Sequence, residues 1–239
     1  MNLPILMYHH IQTESLVLYR SMVSLRSFKQ QINWLTRKGY QTISLERLGS
    51  FIQGQDTLPK KPVIITFDDG YLSVWDHAKP VLDQSGFTAT VFLVAQAIGK
   101  QNIWDLQKAI PILPCMDKAT CRRLLDDGWE VGSHGLNHYA LPELASKVLD
   151  EELTGSKNAL EQLFNCQVTA FCYPHGAWNK RIQEHVKRAG YHVACATSAK
   201  SASVTDDPWV LRRVKVKGSD KLGDFKRKVA KWCMLLDRP

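Results

Sequence analysis

The run Val63-Ile64-Ile65-Thr66-Phe67 passes without interruption into two carboxylates and a glycine, Asp68-Asp69-Gly70. An apolar run of this length reads as a buried strand, so the charged pair sits at the strand's carboxyl end. In barrels and in open α/β sheets that end is where active sites are assembled. Adjacent carboxylates repel, and keeping both ionised requires a cation or a displaced pKa. A plain Asp-Gly turn after a strand accounts for the same residues. What separates the two readings lies some way down the chain.

Trp129-Glu130-Val131-Gly132 reads as another short strand and is followed by Ser133-His134-Gly135-Leu136-Asn137-His138. Histidines four apart share a face in a helical turn and come equally close in a loop. Two imidazoles and one carboxylate make a three-ligand metal site with a position left for water. Alone, the histidine pair is also explained by surface or capping roles. Together the two stretches place Asp, Asp, His and His at two strand ends.

Strand-like runs alternate with amphipathic ones along the chain. Pro4–Tyr8, Thr42–Leu45, Pro62–Phe67, Thr88–Val94, Trp129–Gly132, Val168–Tyr173, His192–Thr197 and Val210–Val216 read as strands. Phe28, Ile32, Leu35 and Gly39 mark one helix and its end, and Leu45–Ile52, Ala78–Gly86, Lys118–Asp127 and Glu143–Phe164 mark others, with an insertion over Ile98–Pro114. This alternation predicts a single α/β domain over 1–239 with a parallel sheet, closed or distorted into a barrel. At 239 residues and 44% hydrophobic composition, one large core is expected. No apolar run is long enough to span a bilayer.

Thr66-Phe67-Asp68-Asp69-Gly70 and Ser133-His134-Gly135-Leu136-Asn137-His138 resemble the first two motifs of the polysaccharide deacetylases, the carbohydrate esterase family 4 or NodB-homology fold. Leu6-Met7-Tyr8-His9-His10-Ile11, Ser27-Phe28-Lys29-Gln30-Gln31 and Gly39-Tyr40-Gln41-Thr42-Ile43-Ser44 resemble the branch containing poly-N-acetylglucosamine deacetylases. The resemblance implies a distorted (β/α) barrel, seven-stranded, and a metal-dependent hydrolase that removes the N-acetyl group from an amino sugar. It also implies that Asp69, His134 and His138 hold a divalent metal and that Asp68 is the general base. Two histidines and a carboxylate suit Zn²⁺, and also Co²⁺ or Ni²⁺.

Two later motifs depart from the family pattern. Where the family has R-x-P-Y, this chain has Cys172-Tyr173-Pro174-His175-Gly176, with Cys172 in the arginine position and His175 in that of the tyrosine. A histidine backbone N–H can still serve the oxyanion, so Tyr173 and His175 are carried as substrate and oxyanion groups; a Pro-Gly turn with a surface histidine is the plainer account. Where the family has L-x-H, Leu211-Arg212-Arg213 puts an arginine in place of the acid, and arginine is a poor proton donor near neutrality. Members of the resembled branch take the acid from an N-terminal histidine. That points to His9, with His10 second because neighbouring strand residues face opposite ways. Arg213 is expected to fill the gap left by Cys172 by pairing with Asp68; a solvated strand-end arginine is the alternative.

Outside the motifs, Trp178 and Trp209 suit either sugar stacking or, more commonly, packing, and Asp206-Asp207-Pro208-Trp209 loosely resembles the family's fourth motif. The tail over about 219–236 has Leu222, Phe225, Val229, Trp232, Leu235 and Leu236 at helical spacing against a lysine- and arginine-rich face. Such a helix either touches an anionic membrane surface or, as is more usual, closes the barrel. Net charge is +8, yet no zinc finger, RNA-recognition signature or aromatic-basic interleaving supports nucleic acid as a partner. Six cysteines without a C-x-x-C pair, and an N-terminus without a basic n-region, set the expectation of a cytoplasmic protein. The expected substrate is an N-acetylated amino sugar, free, lipid-linked, nucleotide-linked or in a glycan, in the assembly of a surface polysaccharide. The rivals are a formamido sugar or cyclic amide as substrate, and a catalytically silent glycan-binding module of the same fold.

Overall fold

The computed structural model describes residues 3–13, 21–106, 111–197 and 207–234. In chain order the elements are β1 (Ile5–Tyr8), β2 (His10–Gln12), β3 (Met22–Ser24), α1 (Leu25–Arg37), β4 (Gln41–Thr42), α2 (Leu45–Ile52), β5 (Pro62–Phe67), α3 (Lys79–Asp83) and β6 (Thr90–Leu93). They continue with α4 (Lys118–Asp126), β7 (Glu130–Ser133), α5 (Ser146–Phe164), β8 (Ala170–Cys172), α6 (Lys180–Arg188), β9 (Val193–Ala196), β10 (Leu211–Arg212), β11 (Val214–Lys215) and α7 (Leu222–Met234).

The main sheet is parallel and runs β10-β9-β8-β7-β6-β5-β1-β11, with β4 beside the start of β5. That path has eight strands, but its two ends are separated in sequence by Arg213 alone. Leu211 and Arg212 pair with Cys195 and Ala196 of β9, whereas Val214 and Lys215 pair with Leu6 and Met7 of β1. The segment therefore changes partner at Arg213 and joins the ends of the sheet. Counted as one interrupted strand, β10 and β11 make the ring of seven that the family resemblance implies.

Strand alternation decides which side chains face the lumen. Ile5, Ile64, Phe92, Ala170, Cys172, Val193, Cys195 and Leu211 form one buried cluster, joined by Leu45 and Leu48 of α2. Their neighbours Leu6, Tyr8, Val63, Ile65, Phe67, Val91, Val131, Phe171 and Ala194 form a second cluster with the surrounding helices, including Phe28, Ile32 and Leu35 of α1. Gly132 makes the lumen possible, since a Cβ there would lie 2.5 Å from the Phe92 ring. At the lower end Glu130 accepts from the N–H groups of Leu45 and Glu46, both at 2.8 Å, and so fastens the first turn of α2 across the strands.

Several boundaries differ from expectation for local reasons. The expected strand Thr42–Leu45 stops at Thr42, because the Ser44 hydroxyl caps α2 by accepting from Arg47 N–H. α5 begins at Ser146 rather than at residue 143, since Leu141-Pro142-Glu143 forms a separate 3₁₀ turn. The stretch after β1, not among the strands expected from the sequence, contributes β2, which pairs in parallel with β3. On α7, Phe225 and Val229 are fully buried and Phe225 meets Trp34 of α1 edge-on, so this part of the amphipathic tail packs on the barrel. Leu235, Leu236 and Asp206 lie outside the described residues. No helix among the described residues is long and apolar enough to cross a membrane.

Candidate active site

The same alternation carries on past the strand ends. Residues 64 and 66 face the lumen, so Asp68 does too; from 5 and 7 follows His9, from 130 and 132 follows His134, and from 211 follows Arg213. Backbone turns at this rim are unusual. Asp69, His138 and His175 have left-handed φ values of 73°, 65° and 59°. Such conformations cost on the order of 1–3 kcal/mol each in non-glycine residues and persist only where the surroundings enforce them. After Asp69, Gly70 continues the reversal at φ 69°, and a Cβ there would lie 2.7 Å from Leu93 Cδ2. The histidine loop is held from both sides: Ala95 and Gln96 N–H donate to the carbonyls of Gly135 and Leu136, and buried Glu152 of α5 accepts from Asn137 N–H at 2.6 Å and from its amide at 2.9 Å.

Asp69, His134 and His138 are all buried and converge. Asp69 Oδ1 lies 3.5 Å from His134 Nε2 and 3.3 Å from His138 Nε2. The edge of a tetrahedron with metal–ligand bonds of ~2.1 Å is roughly 3.4 Å, so these spacings fit a small divalent ion. His134 Nδ1 is engaged by the Cys172 carbonyl at 2.8 Å, which leaves Nε2 facing Asp69. Burial first, and then the charge of His138, push the His134 imidazole down to about 4, so it is neutral and able to ligate near neutrality. Burial opposes ionisation of Asp69, but the hydrogen bond and charge of His138, with His9 and His134, outweigh it and hold the carboxyl below the usual range.

Asp68 has a different partner. Arg213 Nη1 donates to Oδ1 at 2.6 Å and Nη2 to Oδ2 at 2.8 Å, a bidentate pair with Arg213 buried. Burial would raise the Asp68 carboxyl; the charge and hydrogen bonds of Arg213 override it and keep the group ionised below the ordinary carboxylate range. Arg213 also donates to Thr66 Oγ1 at 3.0 Å and meets Cys172 Sγ at 3.1 Å, while its Cζ lies 5.6 Å from the Phe92 ring centre. Burial pushes the Cys172 thiol up, so a neutral sulfur abuts the cation. The guanidinium thus occupies the space beside Cys172, as expected.

His9 Nε2 lies 3.9 Å from Asp68 Oδ2, whereas His10 turns away to Ser73 Oγ at 2.8 Å and stands edge-on to Tyr71. His9, Asp68, Asp69, His134, His138, Tyr173 and His175 line one cavity of about 300 Å³. Tyr173 contributes a wall rather than a donor: its N–H donates to Cys195 O at 3.0 Å and its hydroxyl to Trp209 O at 2.8 Å. His175 packs its ring 4.6 Å from that of His138. Neither Trp178 nor Trp209 is among the described residues that line the cavity; Trp209 donates to Tyr191 O and lies under Lys187, so it serves packing. A larger groove of about 820 Å³ adjoins the cavity, sharing Trp104, His138 and His175 and displaying Ile103, Leu106 and Tyr139.

The sequence pattern of the polysaccharide deacetylases matches residues 55–194, more than half of the chain. This chain belongs to the polysaccharide deacetylase family. It is 31% identical over 216 residues to the Bacillus subtilis protein YxkH, covering 90% of this chain and 71% of that one. It is 26% identical over 200 residues to the poly-β-1,6-N-acetyl-D-glucosamine N-deacetylase of Staphylococcus epidermidis, covering 80% of this chain and 66% of that protein. Among solved structures, the Streptococcus pyogenes deacetylase PplD in complex with acetate superposes with a TM-score of 0.83 at 22% identity, covering 96% of this chain and 98% of that one, a likeness of fold.

Within the polysaccharide deacetylase frame, some rim residues had no sequence signal. Trp104 stacks on His138 with ring centres 4.7 Å apart, and Asp105 lines the same cavity. Both arrive on the insertion, which buried Asn102 ties down through Tyr71 Oη, Asp105 Oδ2 and the Pro111 carbonyl. Glu152 sits in an ordinary-looking helix and Thr66 in a strand, so neither stands out before the fold brings them to the rim.

Proposed function

We propose that this protein is a metal-dependent N-deacetylase of an N-acetylated amino sugar, within the assembly of a surface polysaccharide. The observation that carries the proposal is the division of labour between adjacent carboxylates: Asp69 faces two imidazoles and Asp68 is held by Arg213. Asp69, His134 and His138 are the residues that would hold the ion. When bound, such an ion supplies Lewis acidity toward a carbonyl and lowers the pKa of a water to roughly 7. Asp68, kept ionised by Arg213, accepts the proton of the attacking water. His9, which lines the same cavity beside Asp68, gives a proton to the departing amine. The backbone N–H of His175, at the cavity wall, is assigned to the developing oxyanion. The adjoining groove, with Trp104 and Tyr139 among mixed polar and apolar walls, supports a sugar that is part of a longer chain.

The test is acetate release from N-acetylglucosamine oligomers by protein loaded with Zn²⁺, Co²⁺ or Ni²⁺. Activity lost with chelator and restored by added ion, and abolished in Asp69→Ala, is the expected outcome. Full activity in metal-free protein, indifferent to Asp69→Ala, sinks the proposal.

A further inference from the structure

His9 sits in a single-residue gap between β1 and β2, and both of its flanks are tied to the segment that begins at Asp68. On one side Asp68 N–H donates to the Tyr8 carbonyl at 3.0 Å. On the other, the Ser73 hydroxyl takes two partners at once: it accepts from Ile11 N–H at 3.2 Å and meets His10 Nδ1 at 2.8 Å. A hydroxyl has one donor and two acceptor positions, so Oγ–H to His10 with Ile11 N–H to Oγ uses the donor and one acceptor position. Ser73 is buried, and the His10 ring lies edge-on against Tyr71 at 5.8 Å. Neither Ser73 nor His10 is among the described residues that line the cavity, whereas His9, next to His10 in the chain, and Tyr71, against its ring, are.

We infer that Ser73 and His10 are positioning residues that latch the His9 backbone to the Asp68–Ser73 turn and so set the His9 imidazole against Asp68. This rests on the proposed role of His9 as proton donor. Without the latch, the link through Tyr8 remains, but residues 10–11 lose their tie to the turn. β2 stays paired with β3, so His9 is loosened relative to Asp68 rather than released. A displacement of about 1 Å at a reacting group is enough to lower a rate by on the order of 100-fold. Substrate binding and metal loading depend on other residues and stay as they are. The adjacent histidines therefore divide the work, one facing the reaction and one holding its neighbour.

The experiment compares His9→Ala, Ser73→Ala, His10→Ala and His10→Asn, with the double variant His9→Ala/Ser73→Ala, all Zn²⁺-loaded and assayed on N-acetylglucosamine oligomers. Ser73→Ala and His10→Ala are expected to lose about 10- to 100-fold in kcat with KM within about twofold and metal content unchanged. His10→Asn, whose side-chain oxygen replaces Nδ1 as acceptor, is expected to restore most of the rate. The double variant should be no slower than His9→Ala alone, because residues acting through one group are not additive. Undiminished kcat in Ser73→Ala beside a crippled His9→Ala overturns the latch, as do losses that multiply. An unimpaired His9→Ala instead removes the proposed acid. In that case imidazole ¹H–¹⁵N spectra decide the latch itself: His9 ring signals that do not move in Ser73→Ala overturn it.

Discussion

Replacing Arg213 with glutamine tests the link between the barrel's stability and its chemistry. Asp68 then stays in a buried position that was built for a bidentate cation. Two unit charges about 4 Å apart at an effective dielectric near 20 interact by roughly 4 kcal/mol. Measured losses on breaking one side of a buried pair are about 3–5 kcal/mol, which agrees. For a chain of this size each kcal/mol moves Tm by about 2–4 °C, so a fall of roughly 6–20 °C is expected. The pH dependence has a definite sign. In the wild type the folded Asp68 pKa is depressed, so its stabilisation is present above the unfolded value of about 3.9 and is lost as pH falls through the folded value. In Arg213→Gln burial, the largest influence, is opposed only by the charges of His9 and His134 and raises the folded pKa, so the variant is penalised once pH exceeds the unfolded value. The deficit should therefore be largest near pH 7.5 and shrink toward pH 4.5, and Arg213→Gln/Asp68→Asn should recover part of it. Urea melts of the metal-free proteins at both pH values provide the measurement. A deficit below about 1 kcal/mol, or one that is equal at the two pH values, refutes the reasoning.

Other outcomes follow from the same contacts. His9→Ala should lower kcat by about 10²- to 10⁴-fold while metal content holds, read by steady-state kinetics beside elemental analysis. His138→Ala should reduce bound Zn²⁺ below half occupancy under conditions that saturate the wild type, because it removes one of three converging donors. Glu152→Ala releases the Asn137 clamp and should weaken metal affinity by about 10- to 100-fold without touching a ligand, measurable by chelator competition. Phe225→Ala should cost about 3–5 kcal/mol in denaturant melts, since that ring is fully buried under α1.

The strand ends were legible because apolar runs stop abruptly at charge, and the Asp-Asp and His-His pairs could be placed at one rim from that alone. An N-terminal histidine at the rim came only from the family pattern, and strand parity, which the chain keeps beyond Tyr8, then separates His9 from His10. The pairing of Arg213 with Asp68 came only from a gap in a family pattern. The break of the last strand at Arg213 was hidden, since Val210, Leu211, Val214 and Val216 are apolar on both sides of it. Trp104 and Asp105 were beyond reach because only the tertiary anchoring of the insertion by Asn102 brings them to the cavity. Glu152 looked like any helical glutamate, and its burial follows from the path of the loop it holds.

The change of partner at Arg213 has a mechanical meaning. The residue that steadies the proposed base also stands at the seam where the cylinder is shut, one neighbour bound to β9 and the other to β1. Loosening that seam would withdraw the guanidinium from Asp68 and, in the same motion, uncouple the wall carrying His9 from the last strand. A partly opened cylinder is therefore expected to be an inert one, and any redesign that moves this arginine to another strand must also find a new way to close the ring.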